Sequence, residues 1–241
     1  GPLSQAILEA SRALDGTHTA EDLKNFEPEW IAPISTNYRG WEVFELPPNG
    51  QGLAALEMLN IMETFQPADD NPYDPSFIHA RIEAMKLAYS DAYRYNADPR
   101  VVPVPFAELI SKPYARKRAA GISTTQANAS VVAGVPTGSE TVYFAVCDRE
   151  GNLASWIQSI FSSFGSGIAV NGFMLQSRGA GFTLNRSHPN VLAGGKRPYH
   201  TIIPGFMQKG SQHMAFGIMG GANQPMAHAQ FVSNVVDYGM N

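Results

Sequence analysis

Thr141 stands where a segment of small and polar residues gives way to a run typical of a β-strand. Residues 121–140, GISTTQANASVVAGVPTGSE, have the composition of a surface loop or linker. The next residues, TVYFAVCD (141–148), are rich in β-branched and aromatic side chains. Because helical patterns dominate before this junction and strand patterns after it, we predict an α+β protein in which helices pack on a β-sandwich or layered sheets.

Two long helices are predicted before the junction. Residues 50–65, GQGLAALEMLNIMETF, carry apolar side chains around most of a helical circumference, which predicts a buried helix. Residues 75–96 form the clearest helix, because apolar and aromatic side chains recur there at three- and four-residue steps. Thr19 is a predicted helix N-cap with acidic residues in the following turn. Residues 41–48, WEVFELPP, predict a strand that the two prolines end.

Several strands and a final helix are predicted after the junction. Gly151 in REGN indicates a hairpin turn, with LASWIQSIF (153–161) as the return strand. Further strand-like runs are GSGIAV, FMLQS, HTIIPGFM and HMAFGIMG. Residues 224–240 predict a helix with Pro225 in its first turn. Cys147 lies in an apolar strand run, so we expect a buried structural thiol.

Composition excludes several classes of protein. Hydrophobic residues make up 44% of the 241 residues, which is enough for a substantial core. The formal charge of −4 and the lack of a basic run argue against a nucleic-acid partner. No apolar run approaches the roughly 20 residues that span a bilayer, so no membrane span is expected. The single cysteine permits no internal disulfide, no His/Cys spacing resembles a zinc site, and no cofactor is expected.

The first residues, GPLSQAI, lack the basic and apolar regions of a signal peptide. Gly1-Pro2 is typical of what remains when an expression tag is removed. We therefore expect the native N-terminus to lie outside this sequence, and these residues assign no cellular compartment.

A threonine that opens a strand can also be a chemical group. Its hydroxyl is a poor nucleophile without a neighbouring base. If the Glu140–Thr141 bond is cut, Thr141 gains an α-amine, a group with a pKa near 8 that can accept the hydroxyl proton. One residue would then supply both nucleophile and base. The alternative is an ordinary strand residue, since threonine is common at the start of a strand.

Five stretches together resemble the gamma-glutamyltranspeptidase family of N-terminal nucleophile hydrolases. No single stretch is decisive, but their order and spacing follow the family over nearly the whole chain, from about residue 17 to the end. The stretches are PISTNYRGWEVFELPPNGQGLAALEMLNIME (33–63), HARIEAMKLAYSDAYRYNADP (79–99), ETVYFAVCDREGN (140–152), FSSFGSG (161–167) and FGIMGGANQP (216–225).

The resemblance implies roles for particular residues. Thr141 matches the catalytic threonine, so Glu140–Thr141 is the expected self-cleavage bond, and Ser159 matches the hydroxyl that tunes the nucleophile. Gly220 and Gly221 match the paired glycines whose N–H groups form the oxyanion hole, where glycine permits a close approach of the backbone. Residues 1–140 would be the end of a large subunit and 141–241 the start of a small one. The implied architecture is a layered αββα sandwich, incomplete in this chain.

This sequence also departs from the family. Phe161, Arg178 and Gly181 stand where gamma-glutamyl enzymes have an Asn, a Gln and an Asp that hold the substrate's amine and carboxylate. His200 and Thr201 replace two serines near the oxyanion hole. Arg178, His200 and Thr201 are therefore the candidate substrate-binding residues. An arginine here favours an anionic acyl group. The alternative for Arg178 is a solvated or structural arginine.

Two functions from different classes follow. The first is an amide hydrolase or acyl transferase that acts on gamma-glutamyl or related acyl amides, with a glutaryl-type acylase as a variant. Its partners would be a small-molecule amide and its own two subunits, and a homo-oligomer is left open. The second is a non-catalytic or unprocessed fragment of such an enzyme, in which Glu140–Thr141 stays intact.

Overall fold

The computed structural model describes residues 1–67, 71–130 and 140–241. The helices are α1 Pro2–Ala13, α2 Ala20–Lys24, α3 Gly52–Met62, α4 Pro75–Tyr95, α5 Phe106–Leu109, α6 Lys112–Ala119 and α7 Gln224–Tyr238. The strands are β1 Ile34–Tyr38, β2 Trp41–Glu45, β3 Glu140–Cys147, β4 Leu153–Phe161, β5 Ala169–Val170, β6 Phe173–Met174, β7 Gly205–Lys209 and β8 Gln212–Phe216. Residues 121–130 form neither helix nor strand, as predicted, and 131–139 of the predicted loop lie outside the described residues.

Strands from both sides of the Thr141 junction share one antiparallel sheet. Its order is β1-β2-β7-β8. Val43 of β2 lies opposite Met207 of β7, and Phe206 of β7 lies opposite Ala215 of β8. The mixed α+β class predicted from the sequence is therefore correct. The boundary at Thr141 between helix-like and strand-like sequence does not separate one sheet from another, because β1 and β2 precede it and β7 and β8 follow it.

Helix α3 is the centre of the core. All 11 of its residues are buried, as its apolar circumference predicts. It contacts β1 and β2 of the sheet and the helices α4, α5, α6 and α7. Burial against both a sheet and other helices explains why α3 lacks the polar face of a surface helix.

The ends of the helices follow their local sequence. Asp74 caps α4 by accepting a hydrogen bond from the Phe77 N–H, and Pro75 occupies the first turn. Thr19 and Asp22 form a reciprocal capping box at α2, which confirms the predicted cap. Helix α7 ends at Gly239, whose φ of 63° is the left-handed conformation that glycine adopts without strain.

Strands β3 and β4 form a separate two-stranded antiparallel hairpin. At its turn, Asp148 accepts a hydrogen bond from the Asn152 N–H, and Gly151 has a φ of 84°. The predicted turn is therefore confirmed. One face of the hairpin points to solvent and carries the large apolar side chains of Val142, Phe144, Val146 and Trp156.

Some local predictions were wrong. Cys147 is exposed rather than buried, because it lies at the end of the hairpin that no other layer covers. The strand-like run from residue 200 becomes a strand only at Gly205, since the preceding residues bond across to other loops. Strand β1 was not predicted. It is held in the sheet by its register with β2, from Ile34 opposite Glu45 to Tyr38 opposite Trp41.

Candidate active site

Thr141 lies in β3 at an irregularity of the hairpin. Glu140 pairs with Phe161, but Val142 pairs with Gln158, so two residues of β4 face Thr141 alone. Thr141 is only 6% exposed. Its Oγ1 makes no hydrogen bond to any residue that the structure describes. A buried hydroxyl without a partner is costly in a purely structural residue, which makes this threonine unusual.

Ser159 is one of the two residues across from Thr141. Its Oγ accepts a hydrogen bond of 2.9 Å from the Phe161 N–H. Phe161 has a φ of 79°, a left-handed conformation that a bulky side chain rarely adopts. The bulge therefore brings the predicted nucleophile and Ser159 to the same place on the hairpin, beside a strained residue.

Arg178 contacts the same part of the hairpin from a short 3₁₀ turn, Arg178–Gly181. It is 7% exposed, so it is not a solvated arginine. Its guanidinium donates to the backbone oxygen of Ser159 at 3.4 Å and lies 5.3 Å from the centroid of the Phe161 ring. Burial lowers the pKa of the Arg178 guanidinium to about 10, and it remains a cation at neutral pH.

Thr201 and Gln51 extend this contact network to Gly221. Arg178 Nη1 donates to Thr201 Oγ1 at 2.6 Å. The buried Gln51 side chain donates through Nε2 to the backbone oxygens of both Thr201 and Gly221. Its Oε1 accepts a hydrogen bond from the Tyr199 hydroxyl at 2.9 Å. A continuous chain of hydrogen bonds thus joins Ser159, across from Thr141, to Gly221.

Gly220 and Gly221 lie at the start of the last helix. Gly220 has a φ of 132° and Gly221 a φ of 56°, conformations that a side chain would strain. Within the described part of the chain, neither of their N–H groups has a hydrogen-bond acceptor. These glycines lead through the turn Gly221–Asn223 into α7. Free backbone donors at such a turn suit a site that receives a developing negative charge.

The hairpin docks on the edge of the four-stranded sheet. A Cβ atom on Gly217 would lie 2.3 Å from Cδ2 of the Tyr143 ring, so the ring packs directly on the backbone there. The Tyr143 hydroxyl is 3.0 Å from Ser155 Oγ, which donates to the Gly205 oxygen at 3.1 Å. Tyr143 is two residues after Thr141 and Gly217 is three before Gly220, so this contact joins the segment that follows Thr141 to the segment that precedes the glycine turn.

His200 faces a different space. It lines a cavity of about 440 Å³ together with Pro47, Asp98 and Arg197, and the lining includes neither Thr141 nor the glycine pair. Burial and the neighbouring cations Arg178 and Arg197 lower the pKa of His200 to about 4. His200 is therefore neutral at physiological pH, and its Nδ1 accepts a bond from the Ile202 N–H.

His228 lies beneath the glycine turn, on α7. Its Nδ1 is 2.7 Å from Oε1 of Glu45, and both side chains are at most 1% exposed. Its ring packs edge-on against Phe216, with centroids 5.0 Å apart. His228 thus ties α7 to the end of β2.

Gln51 and Tyr199 were missed by sequence reasoning. Gln51 bonds to residues 150 and 170 positions away in the chain, and no local pattern encodes such a contact. The sequence signal for Gln51 was a polar residue before a mostly apolar helix, which is equally typical of a solvated helix start. Phe161, by contrast, was singled out by the resemblance.

No group of acidic, histidine or cysteine side chains within residues 1–67, 71–130 and 140–241 could hold a metal ion. In the same ranges, no helix has the length and apolar character to cross a membrane.

The chain is similar in sequence to a known protein family and to several of its members. The family model described as gamma-glutamyltranspeptidase matches residues 1–241. A glutathione hydrolase-like proenzyme of Bacillus subtilis, YwrD, is 34% identical over 244 residues, which are 100% of this chain and 46% of that protein. An oxamate amidohydrolase proenzyme of Klebsiella pneumoniae is 31% identical and is covered to 45% of its length.

A solved structure is also similar. The crystal structure of a cephalosporin acylase from Bacillus halodurans superposes with a TM-score of 0.92 at 43% identity, over 100% of this chain and 44% of that chain. This chain therefore spans somewhat less than half the length of the relatives that it matches. Because the family model covers every residue, the chain belongs to the gamma-glutamyltranspeptidase family.

Proposed function

We propose that this chain is part of a self-processing amide hydrolase or acyl transferase that uses Thr141 as an N-terminal nucleophile. The observation that carries the proposal is the buried Thr141 hydroxyl, which has no hydrogen-bond partner among the described residues and lies across from Ser159 at a bulge. Membership of a family whose relatives are named proenzymes supports it. Thr141 is then a reactive group held in place by its strand.

The first step is cleavage of the chain before Thr141. Thr141 Oγ1 attacks the carbonyl carbon of Glu140, the C–N bond to Thr141 breaks, and the hydroxyl proton passes to the released nitrogen. The Glu140 acyl group is now an ester on Thr141, which water hydrolyses to a carboxylate and a free hydroxyl. Strained backbone at Phe161, which pairs with Glu140, is consistent with a junction prepared for cleavage.

The second step is turnover of a substrate amide. The new α-amine takes the proton from Thr141 Oγ1 as the oxygen attacks the amide carbonyl. The N–H groups of Gly220 and Gly221 stabilise the oxyanion, the substrate C–N bond breaks, and the amine leaves with the proton. Water releases the acid from the ester, or an acceptor amine takes the acyl group. Ser159 contacts the nucleophile's strand and tunes its hydroxyl.

The acyl donor is a gamma-glutamyl or related amide. The relatives named as a glutathione hydrolase-like protein, an oxamate amidohydrolase and a cephalosporin acylase all fit an enzyme that cleaves an amide and keeps the acyl half. Arg178, Thr201 and His200 are the proposed substrate-binding residues. Arg178 bonds to Ser159 on β4, across the hairpin from Thr141, and to Thr201, whereas His200 faces the neighbouring cavity.

We also propose that the two products of cleavage stay together in a layered αββα sandwich, of which this chain supplies part. Residues 1–140 contribute β1, β2 and α3, and residues 141–241 contribute β7, β8 and α7. Pairing of β2 with β7 and contact between α3 and α7 support a lasting association after cleavage. The exposed apolar face of the β3–β4 hairpin is consistent with a further layer outside this chain.

Intact mass under denaturing conditions tests the proposal. The wild-type protein should yield two pieces that separate between Glu140 and Thr141, Thr141→Ala should stay whole, and Thr141→Ser should be cleaved because it keeps a hydroxyl. Cleaved wild-type protein should then hydrolyse an acyl anilide. If the wild type stays whole on prolonged incubation, the alternative of an unprocessed, non-catalytic chain is favoured. Cleavage of Thr141→Ala at the same bond would overturn the role of Thr141.

A further inference from the structure

Two side chains from other parts of the fold hold the backbone of the glycine turn, residues 220–223. Gln51 Nε2 donates a hydrogen bond of 2.8 Å to the Gly221 oxygen. The Tyr89 hydroxyl donates to the oxygen of the next residue, Ala222. Gln51 is 0% exposed and Tyr89 is 7% exposed, so both bonds are shielded from water. Two successive carbonyls of the turn are therefore fixed by tertiary contacts.

The two glycines cannot fix the direction of their own N–H groups. Their φ angles are 132° at Gly220 and 56° at Gly221, and glycine passes between backbone conformations more easily than any other residue. A peptide unit is planar, so a bond to its carbonyl oxygen also fixes the direction of its N–H. The Gly220 oxygen accepts a hydrogen bond of 3.0 Å from the Asn223 N–H, and the same peptide unit carries the Gly221 N–H. The carbonyls of the turn are thus bonded, whereas the N–H groups of both glycines have no acceptor in the described part of the chain.

A row of tyrosines joins Gln51 to Tyr89. The Tyr89 ring stacks on the Tyr93 ring, with centroids 5.9 Å apart, and Tyr93 contacts Tyr199, with centroids 5.7 Å apart. The Tyr199 hydroxyl donates to Gln51 Oε1 at 2.9 Å, which leaves the amide NH₂ of Gln51 to face the turn. Burial raises the pKa of the Tyr89 hydroxyl, so it keeps its proton and remains a donor at neutral pH. The two donors therefore belong to one packed frame beside the turn.

We infer that Gln51 and Tyr89 are positioning residues that orient the N–H groups of Gly220 and Gly221 toward the carbonyl of the substrate. This inference rests on the proposed function, because it concerns the proposed oxyanion donors. Each side chain acts through the backbone carbonyl that it holds and not by touching the substrate. An oxyanion donor stabilises the transition state only when it lies about 3 Å from the developing charge. A displacement of about 1 Å can cost about a hundredfold in rate, so loss of either bond should lower kcat with little change in KM.

The first test follows the turn itself and needs no activity. Tyr89→Phe and Gln51→Met remove the donors and nearly keep the size of each side chain. Tyr95→Phe, at a 37% exposed position of the same helix, is the matched control. Met219–Gly220 is the one Met–Gly pair in the sequence, so protein with ¹³C at the methionine carbonyl and ¹⁵N in glycine gives a single NMR signal for the Gly220 amide. Both variants should shift or broaden this signal, and the control should leave it as in the wild type.

The second test follows transition-state stabilisation in the cleaved protein. With an acyl 4-nitroanilide, both variants should lower kcat by about tenfold to a hundredfold and keep KM within about threefold. With propylboronic acid, Thr141 Oγ1 forms a bond to boron, the hydroxyl proton passes to the α-amine, and a boron-bound hydroxyl lies where the oxyanion forms. The affinity of this tetrahedral adduct should fall in parallel with kcat. Butyrate, which is planar, should bind both variants within about threefold of the wild type.

The outcomes separate this inference from the proposed function. If the wild type hydrolyses no amide but both variants change the Gly220 signal, the proposed function fails and the orientation of the turn by these residues stands. If amides are hydrolysed and the variants keep the wild-type kcat, the inference is overturned while the function stands. An unchanged Gly220 signal in both variants also overturns it.

A purely structural role has its own signature. In that case kcat would return to the wild-type value well below the melting temperatures of the variants, because the losses would reflect unfolding, and the inference would be overturned. If Gln51→Met does not fold, Tyr89→Phe decides, since it removes a single hydroxyl and keeps the stacked ring.

Discussion

The helix–sheet core buries its apolar side chains, whereas the β3–β4 hairpin exposes several of them to solvent. In the core, every residue of α3 is buried, and the helix packs on the sheet and on four other helices. In the hairpin, Val142, Phe144, Val146 and Trp156 face solvent, while Thr141 at one end is buried. A two-stranded hairpin is only marginally stable by itself, so this one depends on its docking to the sheet.

The core and the hairpin therefore contribute to different properties of the protein: the core to its stability and the hairpin to the candidate site. The core supplies the buried area that holds the chain together and orients α7 with its glycine turn. The hairpin carries Thr141, the proposed nucleophile, and contacts the sheet through Tyr143 on Gly217 and through Ser155 on Gly205. A change in the core should therefore lower stability, whereas a change at the docking contacts should alter the site first.

The largest expected effect comes from a cavity in the core. Leu56→Ala on α3 removes a fully buried side chain and should lower the free energy of unfolding by about 2–5 kcal/mol. The matched hairpin variant Trp156→Ala removes a larger side chain that is 53% exposed and should cost about 1 kcal/mol or less. Denaturant midpoints measure both. Equal losses would show that the hairpin face is as important to stability as the core.

A smaller effect on stability, with a large one on the site, is expected where the hairpin docks. Gly217→Ala places a methyl group into the Tyr143 ring and should cost about 1–3 kcal/mol by overpacking. It should also slow cleavage before Thr141, measured by intact mass over time. Tyr143→Val opens space, so the double variant should recover part of both losses. Additive losses in the double variant would contradict a direct contact.

The smallest expected effect at neutral pH comes from Glu57, a buried carboxyl group of α3, through the pH dependence of the free energy of unfolding. Burial, followed by the neighbouring Asp91, raises the pKa of Glu57 well above its ordinary value, and Arg118 only partly offsets this. The folded protein then keeps a proton that the unfolded chain releases, so the free energy of unfolding falls as the pH rises above the ordinary Glu pKa. Tyr114 shares the Asp91 carboxylate and faces the same cluster.

Glu57→Gln keeps the shape of Glu57 without the proton. Its free energy of unfolding should therefore fall less with rising pH than that of the wild type, so that the difference between the two grows in the variant's favour. Denaturant midpoints from mildly acidic to alkaline pH measure the slope, and exposed Glu9→Gln is the control. Parallel slopes for Glu57→Gln and the wild type would show that Glu57 is ionised in the fold.

Local sequence patterns predicted the parts of the fold that local forces decide. The apolar circumference of α3, the periodicity of α4, the Thr19 cap and the Asp148–Asn152 turn were each predicted close to where the structure has them. Helix bounds differ by one to a few residues at the ends, where capping and tertiary contact compete. The prediction that Cys147 is buried was wrong, because burial of a strand residue depends on the layer that covers the strand.

The same distinction between local sequence patterns and tertiary contacts applies to the candidate site. The sequence by itself nominated the candidate residues, because the order of its motifs resembles the family's. These candidates are Thr141, Ser159, Gly220, Gly221 and Arg178. Only the tertiary structure decided that Arg178 is buried without a counter-ion among the described residues, and that Gln51 joins Thr201 to Gly221. The physical reason is that desolvation and long-range hydrogen bonds depend on which distant segments pack together, and no local sequence pattern contains that information.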